Sequence, residues 1–434
     1  MIVVKRATRE EEISVFPRRW LSLFAALGVV LVAVGCVRKP TKPRWLWVDA
    51  LANWESIVSP GDIDQLVRKA KKAGFTGLVV DVKPVTGHVM YPSRAGTRLT
   101  EWKGAVSPGG FDYLDSFVRM GHENGLQVYA SLNVFAGGLR RFQKGLVYEG
   151  HRDWQCLANT ADGLIPSMDL PHTESVFLQP SRRAVQEYNL SILDEVVRHY
   201  PVDGVVLDRV YYPDLSCDFS DAARDAFERF LGHPVRDWPN DVYSYRQNGQ
   251  RVPGPLFRDW LYFRSKVLYD FVAEARTLVK QVRPRTQFCL YVGAWYPQAT
   301  DAGLNWASKT SPLIRFWPDS LFRDVAVGDL FDAVFAGLLY EALVPEEVPK
   351  GLPQPWAGWY SVAGAADSMR VALGANARVF GVLLLSRYAK DLGKLCQASQ
   401  LCLERLSGVA MLDAAYVERL GLWGRLRSCF SRRP

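Results

Sequence analysis

Short apolar runs recur along this chain with amphipathic stretches of helical period between them, and that alternation leaves few folds open. The runs are Arg44–Asp49, Gly77–Val82, Gln127–Leu132, Val202–Asp208, Gln287–Val292, Phe331–Leu339, Arg378–Leu385 and Gly408–Asp413. Apart from Asp81, Gly77–Val82 is continuously apolar, as a parallel strand buried on both faces requires. Helical spacing fills Pro60–Ala73, Phe111–Asn124, Arg182–Tyr200, Leu256–Val282, Val362–Leu373, Leu392–Leu406 and Tyr416–Leu426. Ser59-Pro60 starts one of these and Gly125 stops another. The unit after the fifth run is the weakest, because Asp319–Leu330 is short for a crossover helix. Eight strand–helix units in succession close a (β/α)8 TIM barrel, an α/β fold. A doubly wound open sheet would want a Gly-rich phosphate turn after an early strand, and the sequence has none there. The long inserts Phe135–Pro180 and Tyr211–Pro255 follow strands, which assigns them to the face where barrel enzymes build their sites. One barrel domain is expected over 44–427 with no second domain, followed by a solvated basic tail at 428–434.

The residues ahead of the first run have another purpose. A charged segment ending in Arg18 and Arg19 leads into the apolar run Trp20–Val34 and then Gly35-Cys36. That is the order of a signal peptide, and the run is shorter than the ~20 residues a spanning helix needs. Ala33-Val34-Gly35-Cys36 resembles a bacterial lipobox, with Ala33 where Leu is usual, and makes Cys36 the lipidation site. Residues 1–36 are thus expected to be a lipoprotein signal peptide and 37–43 a linker. The rest is expected to be an exported, membrane-anchored lipoprotein of the cell envelope, in the outer membrane or periplasm. The net charge of +8 sits largely in Lys5–Arg19, Arg38–Arg44 and Arg425–Arg433. Little is left for a basic groove, so nucleic acid is not an expected partner. The cysteines beyond Cys36 are even in number, which permits disulfides in an exported chain. Cys289 lies in a strand pattern and Cys396 and Cys402 on one helix, where buried free thiols are expected. No CxxC or HExxH spacing occurs, and neither a metal nor a cofactor is expected.

Asp49, Asp81, Asp208 and Asp413 each follow an apolar run directly. A carboxylate at the C-terminal end of a barrel strand points into the barrel mouth, where a reacting group can meet it. The alternative for each is a cap on the following turn or a buried ion pair. Asp208 is the strongest catalytic candidate, because Arg209 and Tyr211 come to the same strand end. Glycoside hydrolysis needs a second carboxyl group, and Glu341, directly after strand six, is the candidate. His88, Asn133, Trp295, Tyr296, Asn305 and Trp306 complete an expected polar and aromatic lining, with Asp49, Asp81 and Asp413 as substrate-binding acids.

Several of these stretches resemble one family. Trp47-Val48-Asp49-Ala50, Val80-Asp81-Val82-Lys83-Pro84 and Asp203-Gly204 through Leu207-Asp208-Arg209-Val210-Tyr211 carry the likeness. Gly293-Ala294-Trp295-Tyr296-Pro297, Asn305-Trp306-Ala307 and Trp359-Tyr360-Ser361 extend it. They are similar to the glycosyl-hydrolase-like barrel lipoproteins, described as family-10-like or alpha-amylase-superfamily proteins. The resemblance implies a TIM barrel acting on an oligo- or polysaccharide. Alpha-amylase-type enzymes place the nucleophilic Asp after strand four, which matches Asp208. Their acid Glu follows strand five, where this chain has Trp295 and Tyr296; other α-glycosidase barrels place it after strand six, which matches Glu341. The expected function is two-carboxylate glycoside hydrolysis at the barrel mouth, and the alternative is a non-catalytic glycan-binding surface lipoprotein.

Overall fold

The computed structural model describes residues 41–352, 356–375 and 377–431. The expected signal peptide, Cys36 and most of the linker lie outside the described residues. Eight parallel strands close a barrel: β1 (Arg44–Val48), β2 (Gly77–Lys83), β3 (Gln127–Asn133), β4 (Gly204–Asp208), β5 (Gln287–Gly293), β6 (Ala333–Gly337), β7 (Val379–Leu384) and β8 (Gly408–Leu412). Neighbours pair in chain order, and β8 closes on β1 through Arg44 opposite Val409. The (β/α)8 architecture is the one the alternation called for. The sixth strand is shorter than expected, and Asp332 just ahead of it is tied to β5 by its backbone N–H, which donates to the Phe288 carbonyl at 2.8 Å, and by its side chain. Its Oδ2 accepts the Phe288 N–H at 2.8 Å and the Lys280 ammonium at 2.5 Å.

The α-helices of six or more described residues are α1 (Pro60–Ala73), α2 (Tyr113–Glu123), α3 (Arg183–His199), α4 (Asp221–Leu231), α5 (Phe257–Val282), α6 (Val362–Leu373), α7 (Leu392–Arg405), α8 (Ala414–Arg419) and α9 (Leu426–Ser431); a single four-residue turn of helix, Ala299–Ala302, follows β5. Ser59, Asp112 and Ser361 cap α1, α2 and α6 with their side-chain oxygens. Between β5 and β6 the alternation fails. Pro312, Pro318 and Gly328 break the chain into short turns, which are held by the buried Trp317 and Phe322 rings.

The C-terminal end also differs from expectation. The anticipated helix over Tyr416–Leu426 stops at Arg419, ahead of Gly421 and Gly424, and a new helix, α9, covers the start of the supposed tail. Cys429 on α9 forms a disulfide with Cys396 on α7, so Cys396 is not the free thiol the helix pattern suggested. Phe430 packs on Phe75 with ring centroids 5.4 Å apart. Cys289 and Cys402 are free and buried, as are Cys156 and Cys217.

Side chains alternate across a strand, so every second residue points into the barrel. Trp45, Tyr129, Phe335 and Phe380 fill its lower part, with Trp45 and Tyr129 centroids 4.4 Å apart. Gly77 makes this possible, since a Cβ there would stand 2.3 Å from the Trp45 ring. Trp47 and Tyr291 form the next layer, 5.4 Å apart. Continuing the same parity upward places Asp49, Asp81, Asn133 and Asp208 at the mouth.

Candidate active site

Asp49 and Asp413 directly follow β1 and β8, Asp81 stands near the C-terminal end of the adjacent β2, and β4 brings Asp208 to the same mouth. Asp81, Asp208 and Asp413 are all buried. Asp81 Oδ1 accepts the Trp47 indole N–H at 3.0 Å. Burial, then the charge of Asp49, push its carboxyl well above the usual range, with Asp208 adding to the effect. Asp413 is pushed up to about 6 by burial first and Asp49 next. Four carboxylates at one mouth cannot all ionise cheaply, and Asp81 is the one most disposed to keep its proton.

Asp208 has a different environment. Burial raises its carboxyl above the usual range, and the Arg209 guanidinium offsets only part of that rise. Arg209 Nη1 donates to Asp208 Oδ2 at 3.0 Å, and the Arg209 backbone N–H donates to Oδ1 at 2.6 Å. The same Nη1 donates to Asn133 Oδ1 at 2.5 Å. These bonds hold Arg209 at φ 49, a left-handed conformation that a non-glycine residue adopts only when its surroundings fix it. Asn133 Nδ2 in turn donates to the Lys83 carbonyl at 3.0 Å. Lys83, fully buried, donates to the carbonyls of Asn133, Val134 and Ala136 at 2.7, 3.1 and 3.0 Å. Burial, then the Arg209 charge, lower its amine to about 7, whereas the three carbonyls favour the ammonium form. Lys83, Asn133 and Arg209 thus form one continuous support beneath Asp208.

In front of Asp208 lies a cleft of about 500 Å³ whose walls include Arg209, Tyr211, Tyr291, Trp295 and Trp306. Trp295 is 37% exposed, the most open of the cleft aromatics, and folds back over β5. Gly293 permits this, because a Cβ there would sit 1.9 Å from the Trp295 ring. Asp214 and Asp301 also line the cleft. Asp214 Oδ2 lies 2.8 Å from Nε2 of His172, which reaches over from the insert after β3. Burial works to raise Asp214, but its bonds to the Ser216 hydroxyl and to His172 prevail and hold it low.

The structure therefore brings Asp208, Arg209, Tyr211, Trp295 and Trp306 to one cleft, with Asn133 buried behind them and Asp49, Asp81 and Asp413 in the strand-end cluster at the mouth. It does not bring Glu341 there. After β6 the buried Leu338 turns the chain outward, and the Glu341 side chain is 67% exposed, 3.7 Å from Arg387. His88 is buried away from the cleft, with Nε2 3.1 Å from Glu149, where it ties the loop after β2 to the insert after β3. Tyr296 and Asn305 serve as framework: the Tyr296 hydroxyl donates to Asn305 Oδ1 at 2.8 Å and accepts the Trp317 indole N–H at 2.9 Å. Sequence reasoning missed Tyr291, Trp47 and Lys83. Strand parity was the available signal for the first two, since Trp47 alternates with Trp45 and Tyr291 with Cys289 on the inward face of their strands.

Residues 44–309 match the model of the family described as glycosyl hydrolase-like 10. The chain belongs to the glycosyl hydrolase-like 10 family. Relatives similar to it include an S-layer-related protein of Niallia circulans, 35% identical over 280 residues, 61% of this chain and 17% of that protein. Glycosyl hydrolase DigH of Escherichia coli (strain K12) is 26% identical over 247 residues, 53% of this chain and 47% of that protein. The alignments thus span less than half the length of these relatives. Among solved structures, the PgaB (BpsB) glycoside hydrolase domain from Bordetella bronchiseptica superposes with a TM-score of 0.60 at 12% identity, covering 91% of this chain and 100% of that one. Alpha-L-fucosidase isoenzyme 2 from Paenibacillus thiaminolyticus gives 0.56 at 11% identity, covering 90% of this chain and 49% of that one. At such identities the likeness is one of fold, and in this family, as on other barrels, activity has to be argued from the site.

Proposed function

We propose that the cleft hydrolyses a glycosidic bond in an oligo- or polysaccharide, with Asp208 as the ionised carboxylate. The observation that carries this reading is the contrast between two buried acids at one mouth. Both are raised by burial, but Arg209 offsets part of the rise at Asp208, while burial and neighbouring acids carry Asp81 well above the usual range. Glycoside hydrolysis requires one carboxylate and one carboxylic acid, and environments that push two acids apart supply that pair. Asp81 therefore replaces Glu341 as the proposed acid. Tyr211, Trp295 and Trp306 give the cleft aromatic faces suited to sugar rings.

The test is hydrolysis of a glycan panel by the full chain in a polyoxyethylene detergent, which has no glycosidic bond. Asp208→Asn and Asp81→Asn should each lower kcat by on the order of 10²–10⁴. Near-normal turnover in either variant would remove that residue from the chemistry. The second reading, a glycan-binding barrel without turnover, is favoured by the solvent position of Glu341. Binding of a glycan with no product from the native chain would select it.

We also infer a membrane-anchored, exported chain lipidated at Cys36, supported by the charged, apolar and small-residue order of the first 36 residues. Metabolic labelling with a radioactive fatty acid should mark the native chain and spare Cys36→Ser. Equal labelling of both would refute lipidation at that residue.

A further inference from the structure

The end of the barrel opposite the mouth has a second concavity, of about 650 Å³. Gln127, Asp203, Arg283, Arg285 and Arg378 line it, together with Tyr129 from the barrel interior. Apart from Tyr129, these residues stand at or just before the first positions of β3, β4, β5 and β7, so the cavity is on the floor formed by the strand N-termini. Arg283 Nε donates to the Val197 carbonyl at 2.5 Å, and its Nη2 donates to the Arg198 carbonyl at 3.3 Å. Arg378 Nη1 donates to Gln287 Oε1 at 2.8 Å. These bonds fix two guanidinium groups and leave each with unspent N–H donors among the described residues. Arg285 is exposed.

Charge on this cavity is unbalanced. Its one carboxylate, Asp203, is already engaged: Oδ2 accepts the Val128 N–H at 2.8 Å and lies 2.9 Å from His122 Nε2. Among the described residues no carboxylate comes within 4.0 Å of Arg283, Arg285 or Arg378. Three arginines on one concavity without an acidic partner repel each other, and an anion with several oxygens relieves that repulsion through paired N–H···O bonds. The volume exceeds what one phosphoryl group fills, leaving room for whatever carries it. β1 also begins at this face, so the segment preceding Arg44 joins the barrel there.

We propose that the floor cavity is a binding site for a phosphate-class anion, seated on Arg283, Arg285 and Arg378. The group is either free phosphate or the headgroup of an anionic lipid, and the experiment separates the two. The full chain in polyoxyethylene detergent is titrated calorimetrically with pyrophosphate and, separately, with dihexanoyl phosphatidylglycerol. Dihexanoyl phosphatidylcholine is the zwitterionic control. At least one of the two anions should bind saturably, one per chain. Arg283→Gln/Arg285→Gln/Arg378→Gln should weaken that binding at least about tenfold. Arg94→Gln/Arg152→Gln/Arg236→Gln removes the same charge from exposed positions on the mouth-side loops and should weaken it less than about threefold. Pyrophosphate binding identifies free phosphate as the source, and binding of the anionic lipid alone identifies a headgroup. If the floor triple variant misfolds, Arg285→Gln, which alters one exposed side chain, should still lower affinity about threefold. Absence of saturable binding to either anion overturns the proposal. Equal weakening by both triple variants overturns it too, since only total charge would then matter.

Discussion

Replacing Asp413 with Asn should stabilise the protein at neutral pH and leave its stability unchanged in acid. Asp413 is 5% exposed, and its Oδ1 caps α8 by accepting the Ala415 N–H at 2.7 Å. Burial, with the Asp49 charge behind it, moves its carboxyl from 3.8 up to about 6. Between those values the folded protein holds more protons than the unfolded chain. Stability therefore falls as pH rises through that window, and the loss is complete above about pH 6. A rise of about two pH units at ~1.36 kcal/mol each amounts to about 3 kcal/mol. Asn keeps an oxygen able to cap the helix and never ionises. The variant should gain about 2–3 kcal/mol over the native chain near pH 7.5 and nothing near pH 4. Urea unfolding followed by tryptophan fluorescence at both pH values measures this, provided the slope m is unchanged. A variant equally stable with the native chain at both pH values, or weaker near pH 7.5, would refute the reasoning. It would mean that Asp413 stays ionised through bonds an amide cannot replace.

Three further outcomes follow from the same geometry. Gly77→Ala places a Cβ against the Trp45 ring at 2.3 Å and should cost about 1–3 kcal/mol. In a double-mutant cycle Trp45→Leu should recover part of that cost, and strict additivity would place the strain elsewhere. Cys429→Ser opens the link from α9 to α7 across a sequence separation of 33 and should lose about 3–4 kcal/mol on chain entropy, read from urea midpoints. Arg209→Met removes the guanidinium that opposes the burial of Asp208, so the acid limb of kcat/KM on any hydrolysed glycan should move up by about 1–3 pH units. An unmoved limb would show that Asp208 is not the ionising group.

The barrel was legible because its signal is repeated. Eight apolar runs and their helices each add weight to one topology, and an error in one unit, such as the lack of a full crossover helix after β5, does not change the count. What failed was local and depended on contacts distant in sequence. Asp332 reads as an ordinary strand residue until Lys280 and the Phe288 N–H are seen to engage its carboxylate. Cys396 reads as a helical core thiol until α9 folds back and presents Cys429. Neither partner is within a window that periodicity can weigh.

The candidate site shows the same division, drawn by parity. An Asp after an apolar run can be assigned to the mouth because the strand fixes where it points, and Asp81 and Asp208 needed nothing else. Glu341 comes four residues after β6 ends, beyond Leu338 and Tyr340, where no strand controls direction, and it faces solvent. His88 comes five residues beyond β2 and is buried against Glu149 rather than in the cleft. Lys83 was overlooked for the opposite reason. A lysine ending an apolar strand reads as a charge emerging into water, yet three carbonyls at the end of β3 hold it fully buried. A buried ammonium costs several kcal/mol to desolvate unless it is bonded, and such a cost is retained where position matters. Here the position supported is that of Asn133, and through it Arg209 and Asp208. The support also gives the proposed acid assignment its direction: Arg209 offsets part of the burial at Asp208, whereas burial and other acids carry Asp81 well above the usual range.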